Sequence, residues 1–301
     1  MVAVANRVVL YYQTQYSHGN SGTYVSPLPL IGYVTHLLLA AFHLNMGHVG
    51  PDIVHLNDFQ PSDPWGRHEG AAPGTYACLT DDLFDTYYPA LKEVITTYNL
   101  DGMDLDVEEY VSSETIARII TTLKADFGDE FLITLAPVAS ALTESGNLSG
   151  FDYITLEQTL GDKIDFYNAQ FYSGFGTFFP ETQYEAIINY DQGIDPARVT
   201  ATVLTSPNDG YGYVSTDNVV QSIENLMEKY GTGWGGVGGW EYFNALPDSS
   251  QPWKWAVTMK EAMRVQKAKM EAREREKELA AAEVDRRRIR SRMFKLPANE
   301  N

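Results

Sequence analysis

One cysteine, Cys78, stands among 301 residues, so no disulfide can form within the chain and its thiol content signals no oxidising compartment. Six histidines and that thiol show no zinc-type spacing, and no metal or other cofactor is expected. No stretch approaches the ~20 uninterrupted apolar residues of a membrane helix. A signal peptide is not expected either, because Arg7 interrupts the first apolar run and Val8-Val9-Leu10-Tyr11-Tyr12 already reads as a strand. The expectation is a soluble, cytoplasmic protein without a membrane partner. The sequon Asn147-Leu148-Ser149 then carries little weight, since glycosylation requires secretion. Basic residues are scarce: 22 Lys/Arg against 40 Asp/Glu give a net charge of −18. Residues 256–301 hold 13 of the basic and 8 of the acidic groups, a net +5, which leaves −23 on the rest. That balance argues against nucleic acid as a partner for the body of the chain. Gly231 to Gly239 is glycine-rich but lacks the following Lys-Ser/Thr of a phosphate-binding loop.

What is present is globular in composition, 44% apolar and 12% aromatic, and long enough to bury a large core. The most informative stretch is Asp101-Gly102-Met103-Asp104-Leu105-Asp106-Val107-Glu108-Glu109. Read as a strand, it sends Met103, Leu105 and Val107 to one face and Asp104, Asp106 and Glu108 to the other. Successive acids then stand roughly 6.6 Å apart, two rises of ~3.3 Å. Crowded like charges disfavour one another's ionisation, and a half-buried row of carboxylates is how a chain makes a general acid near neutral pH. An EF-hand reading fits less well, because the apolar interleaving speaks for a strand.

Further β-rich runs cover 7–12, 35–42, 102–108, 131–136, 164–172, 199–204 and 235–240. Helical patterns cover 81–98, 114–127, 181–188 and 216–230, with Asp82 and Ser113 as candidate caps. Strands alternating with helices predict an α/β fold with a parallel sheet, and seven strands at this spacing suggest a (β/α)8 TIM-type barrel. Its working residues belong at the C-terminal strand ends, where Glu108 falls. The count is one strand short, because 43–80 is polar and punctuated by Gly and Pro, and His55-Leu56-Asn57-Asp58 reads as loop. After Trp255 the composition changes, and Lys260 to Arg292 reads as one long charged helix without a heptad. The expected units are a barrel over 1–257 and a charged helical tail over 258–301. Its basic run 286–290 reads as a solvated tail or an anion-binding patch. Trp253 and Trp255 are assigned to packing, and Trp65 has no assigned role.

The Asp101 to Glu108 string resembles the DGxDxDxE signature on the fourth barrel strand of family-18 glycoside hydrolases, the chitinase and endo-β-N-acetylglucosaminidase group. Other segments resemble the first, second, fifth, sixth and eighth strands of that family, so the resemblance spans about residues 5–255. It implies that Glu108 protonates the glycosidic oxygen and that Asp106 orients the 2-acetamido group of the substrate. Asp104 would modulate Asp106, and Tyr172 would bind the acetamido oxygen. Gln170 and Tyr11 would line the sugar site, with Trp240 as the floor on which the sugar stacks. Taken alone, Tyr172 and Trp240 would read as core residues. Glu109 has the wrong parity for the row and reads as structural, and Asp101 as part of the turn into the strand. The implied chemistry is substrate-assisted retaining hydrolysis, an exception to the two-carboxylate scheme.

The third strand of that family and the helix before it have no counterpart, a deficit of about 25 residues by the size of a βα unit. A barrel lacking one strand has two edges with unpaired backbone groups. The expectation is that residues 48–79 partly plug the opening, or else that the protein is unstable. The implied partner is an N-acetylglucosamine polysaccharide or oligosaccharide cleaved at β-1,4 bonds. Alternatives are an endo-β-N-acetylglucosaminidase acting on N-glycans and a catalytically impaired sugar-binding relative.

Overall fold

The computed structural model describes residues 5–17, 22–57, 74–143, 145–190 and 193–293. The strands are β1 (Arg7–Tyr12), β2 (His36–Leu39), β3 (Phe42–Leu44), β4 (Val54–Leu56), β5 (Gly102–Leu105), β6 (Leu132–Leu135), β7 (Phe166–Gln170), β8 (Val199–Leu204) and β9 (Gly236–Trp240). The helices are α1 (Phe84–Thr97), α2 (Ser113–Phe127), α3 (Tyr153–Leu160), α4 (Thr182–Asn189), α5 (Thr216–Tyr230) and α6 (Trp253–Met293). Among the described residues seven strands pair in parallel in the order β2-β1-β9-β8-β7-β6-β5, which leaves the barrel open between β2 and β5. The expected TIM-type barrel with one unit missing is therefore the architecture found.

β1 and β8 are buried along their whole length, as parallel strands covered on both faces must be. At β9, chains approach so closely that a Cβ on Gly238 would lie 2.7 Å from Thr202 Oγ1. The outer layer is amphipathic. In α5, Val219, Ser222, Ile223, Leu226 and Met227 recur at helical spacing and are buried, and Ser215 caps the first turn through Asn218 N–H. Inside the barrel Arg7 stacks over Phe166 at 4.0 Å, with the His36 ring 5.0 Å from the same phenylalanine. This aromatic and cationic layer floors the interior beneath the acids.

The opening leaves a mark on β2. Leu37 and Leu39, on the face a barrel helix would cover, are 40% and 37% exposed. The segment read as one strand over 35–42 breaks at Leu39, and Phe42 instead opens an antiparallel hairpin in which β3 pairs with β4. His55 and Leu56, read from sequence as loop, belong to that hairpin. Three-residue strands are too short to show a periodicity. Beyond it, residues 76–79 form a short turn that buries Tyr76, Cys78 and Leu79. Cys78 Sγ approaches the Leu44 carbonyl oxygen of β3 at 3.7 Å. The expected plug is thus present at its two ends; residues 58–73, Trp65 among them, lie outside the described residues.

Two capping expectations are corrected. α1 begins after Leu83 with no side-chain cap, so Asp82 does not serve. α2 is capped by Ser112, whose Oγ accepts from Thr115 N–H, and Ser113 is its first helical residue. The cap position needs extended backbone, which Ser112 has and a helical Ser113 does not. The charged helix begins at Trp253, earlier than expected, and crosses the expected boundary at 257/258. Trp255, Met259 and Met263 bury against the barrel, and Lys269–Glu224 and Arg273–Glu228 ion pairs tie α6 to α5.

Candidate active site

The acid row lies at the C-terminal end of β5, which stops at Leu105; Asp106, Val107 and Glu108 continue extended in alternation. Leu105 and Val107 are buried at 0% and 2%, while Asp106 and Glu108 face the mouth of the barrel. The expected two-faced pattern therefore holds beyond the hydrogen-bonded strand.

Asp104 sits deepest. Its Oδ1 accepts from Thr134 Oγ1 at 2.5 Å and Asn168 Nδ2 at 3.0 Å, and its Oδ2 accepts from Tyr11 Oη at 2.8 Å. Burial raises its pKa above the usual carboxylate range, and the three donors oppose that rise. Asp106 is solvent-exposed at the barrel mouth, and the low-dielectric walls around it still disfavour its charged form. This desolvation by the surrounding walls, then the charges of Glu108 and Asp104, push the Asp106 pKa well up, against a hydrogen bond from Gln170.

Gln170 closes the arrangement from β7. Its Nε2 lies 3.1 Å from Asp106 Oδ1, 3.3 Å from Glu108 Oε1 and 2.8 Å from the Ala136 carbonyl oxygen. A carbonyl oxygen only accepts, so the Ala136 contact fixes which end of the amide faces the acids. One amide therefore holds the two outer carboxyl groups in common register. Tyr172 follows two residues later. Burial first, then the charges of Asp106, Glu108 and Asp104, lift its pKa well above 10, which keeps it an O–H donor. Among the described residues its hydroxyl takes no hydrogen-bond partner, so it is available to a ligand oxygen.

Tyr11 is placed differently from a sugar-lining residue: it is 5% exposed and donates to Asp104. Its ring meets Trp240 edge-on, centroids 5.4 Å apart. Trp240 ends β9 half-buried, where an aromatic floor is expected.

Three participants escaped the sequence reading, Thr134, Asn168 and Tyr76, while Glu109 was read as structural without its partner. Thr134 and Asn168 hold Asp104, and Asn168 shares its strand face with Gln170, a parity available in the sequence. Glu109 Oε1 accepts from Tyr76 N–H at 2.8 Å and so anchors the plug beside the acids. Tyr76 feels burial first and then the Asp106 charge, both raising its pKa. A contact between a side chain and a distant backbone N–H leaves no residue-type signal. Among the described residues no group of three or more His, Cys, Asp or Glu is arranged to hold a metal ion.

No family model matches the chain. It is similar, at 42% identity and a TM-score of 0.76, to a fungal endo-β-N-acetylglucosaminidase from glycosyl hydrolase family 18, covering 86% of this chain and 98% of that one. It is similar, at 43% identity and a TM-score of 0.72, to the chitinase ChiC of Aspergillus fumigatus, covering 86% of this chain and 99% of that one. Exochitinase 1 of Streptomyces olivaceoviridis is 23% identical over 235 residues, which are 61% of this chain. That match covers 39% of Exochitinase 1, so the chain spans about two fifths of that relative.

Proposed function

The chain belongs to glycoside hydrolase family 18, and from that premise we propose that it hydrolyses β-1,4 bonds following N-acetylglucosamine, in chitin or chito-oligosaccharides. The observation that carries this reading is the Gln170 amide shared between Asp106 and Glu108, beside a Tyr172 hydroxyl with no protein partner among the described residues. Glu108 gives its proton to the glycosidic oxygen as the bond to the anomeric carbon breaks. The acetamido carbonyl oxygen of the same sugar attacks that carbon from the opposite face, forming an oxazolinium ion. Tyr172 donates to that oxygen and positions it. Asp106 faces the acetamido N–H, and its raised pKa lets it take up or release a proton as charge develops there. Water then attacks the anomeric carbon, returns a proton to Glu108 and opens the ring with net retention. The substrate supplies the nucleophile, so no second carboxylate at retaining distance is required. Trp240 offers its face to the sugar ring.

The test compares the protein with its Glu108→Gln variant on chitobiose carrying a fluorescent leaving group. Removing a general acid is expected to cut turnover about 10²- to 10⁴-fold. Equal, background-level release by both proteins would sink the reading, as would efficient cleavage of the glucose analogue lacking the acetamido group.

Similarity to an endo-β-N-acetylglucosaminidase at 42% identity supports a second reading, cleavage within the chitobiose core of N-glycans. Release of glycan from a high-mannose glycopeptide, with chito-oligosaccharides left intact, would select it.

A further inference from the structure

We propose that His48 and His55, on the β3–β4 hairpin beside the barrel opening, form a binding site for a divalent transition-metal ion of the zinc and copper class. Water fills the remaining coordination positions. The site uses none of the acid row and stands independently of the glycosidase reading.

His55 is the residue that calls for an occupant. It is 3% exposed, and neither of its ring nitrogens has a hydrogen-bond partner among the described residues. A neutral imidazole carries one donor and one acceptor, and buried polar atoms are rarely left unmatched. A cation on the acceptor nitrogen reduces the orphaned atoms from two to one.

The second ligand is the ring of His48. The two ring centres are 6.2 Å apart and their planes stand at 83°. With metal–nitrogen bonds of about 2.0–2.1 Å, and each nitrogen roughly 1 Å from its ring centre, two imidazoles on one ion have centres about 5–6 Å apart. A small side-chain rotation therefore brings the pair to joint ligation. His48 is half-buried, which gives it that freedom and opens the outer side of the ion to water.

The turn that presents His48 is held from several directions. Gly47 has φ +83°, a conformation that favours glycine, and its N–H donates to Tyr87 Oη on α1 at 2.7 Å. His48 N–H donates to the Asn45 carbonyl oxygen at 3.2 Å, and Asn45 N–H to that of Ile53 at 2.8 Å. The turn thus folds His48 back toward β4 and its His55. The donor set selects the ion, because imidazole suits zinc, copper and nickel, whereas calcium and magnesium take oxygen ligands. Among the described residues no third His, Cys, Asp or Glu joins the pair, so binding is weaker than at a closed four-ligand site. Its consequence is mechanical: the ion pins the turn to β4 and stiffens the segment bordering the seam.

Copper(II) added to the metal-free full chain tests this, since copper heads the affinity order at nitrogen sites and its electron paramagnetic resonance spectrum counts bound nitrogens. The unaltered protein should show coupling to two imidazole nitrogens. His48→Gln, a change in a half-buried turn, should show one and bind at least about ten-fold more weakly. Zinc at about ten times its Kd should raise the melting midpoint of the unaltered protein and leave that of His48→Gln unmoved. His55→Gln should behave as His48→Gln does; should the buried change prevent folding, His48→Gln decides alone. A spectrum without nitrogen coupling, as the acid row alone would give, overturns the site. So does unchanged copper affinity in His48→Gln, or an equal zinc shift in both proteins.

Discussion

Replacing Asp104 separates a structural clamp from a bystander. Three donors converge on this carboxyl group: Tyr11, 5% exposed, Thr134, 4%, and Asn168, 0%. Asp104→Ala strips the acceptor from all three. The two hydroxyl groups can rotate in search of another oxygen, but the Asn168 amide cannot, and its Oδ1 is already unpartnered. With one to three buried donors orphaned at about 1–3 kcal/mol each, and some recovered by rotation, the expected loss is about 2–6 kcal/mol. Asp104→Asn keeps Oδ1 as an acceptor for Thr134 and Asn168, and Tyr11 can turn its hydroxyl to accept from the new amide. That variant should lose under about 1.5 kcal/mol, the net worth of one neutral hydrogen bond. Urea unfolding at pH 7, followed by tryptophan fluorescence, reads both values as midpoint shifts at constant slope. If Ala and Asn unfold within about 0.5 kcal/mol of each other, Asp104 is not the acceptor that the surrounding donors require.

The raised pKa values of Asp104 and Asp106 carry a pH signature. Their stabilisation is complete below the unfolded carboxylate value, about 3.9, and is lost as pH rises through their higher folded values. A double Asp104→Asn, Asp106→Asn variant should lack this falling limb in thermal melts taken from pH 4 upward; a variant that keeps the original slope would contradict the assignment. The plug offers a separate reporter, because Cys78 is 0% exposed and burial pushes its thiol up to about 11. Glu109→Ala removes the acceptor of Tyr76 N–H, so thiol labelling of Cys78 should accelerate about ten-fold or more, the factor for 1.4 kcal/mol of easier local opening. Labelling at the original rate would show that Glu109 does not hold the segment.

The legible parts of this protein are those set by period. Alternation placed Asp104, Asp106 and Glu108 on one face, and the recurrence of short apolar runs gave seven parallel strands. The same rule, applied to β7, would have put Asn168 beside Gln170. What escaped is local or contingent. The β3–β4 hairpin has strands of three residues, and α3 is eight residues long with a weak apolar stripe. Glu109 was assigned outward by parity and read as structural, and it does face away from the row. Its partner lies 33 positions earlier in the chain, a backbone N–H with no residue-type signature.

The open seam and the acid site turn out to be one problem. β5 and β2 are the unpaired edges, and β1 is the next strand inward from β2. The hydrogen bond from Tyr11 on β1 to Asp104 on β5 therefore spans the break through the barrel interior, where no backbone ladder crosses among the described residues. Thr134 and Asn168 bring β6 and β7 to the same carboxyl group. Asp104 thus gathers four strands, drawn from both sides of the missing unit. On the outside, Glu109 and Tyr76 make a second tie between β5 and the plug. Burying a carboxyl group this way raises its pKa and costs stability at neutral pH, yet it is the group that draws the two edges together. The carboxyl group whose charge helps raise the Asp106 pKa also joins strands on both sides of the break, so a variant that weakens the clamp should loosen the seam and the site in parallel.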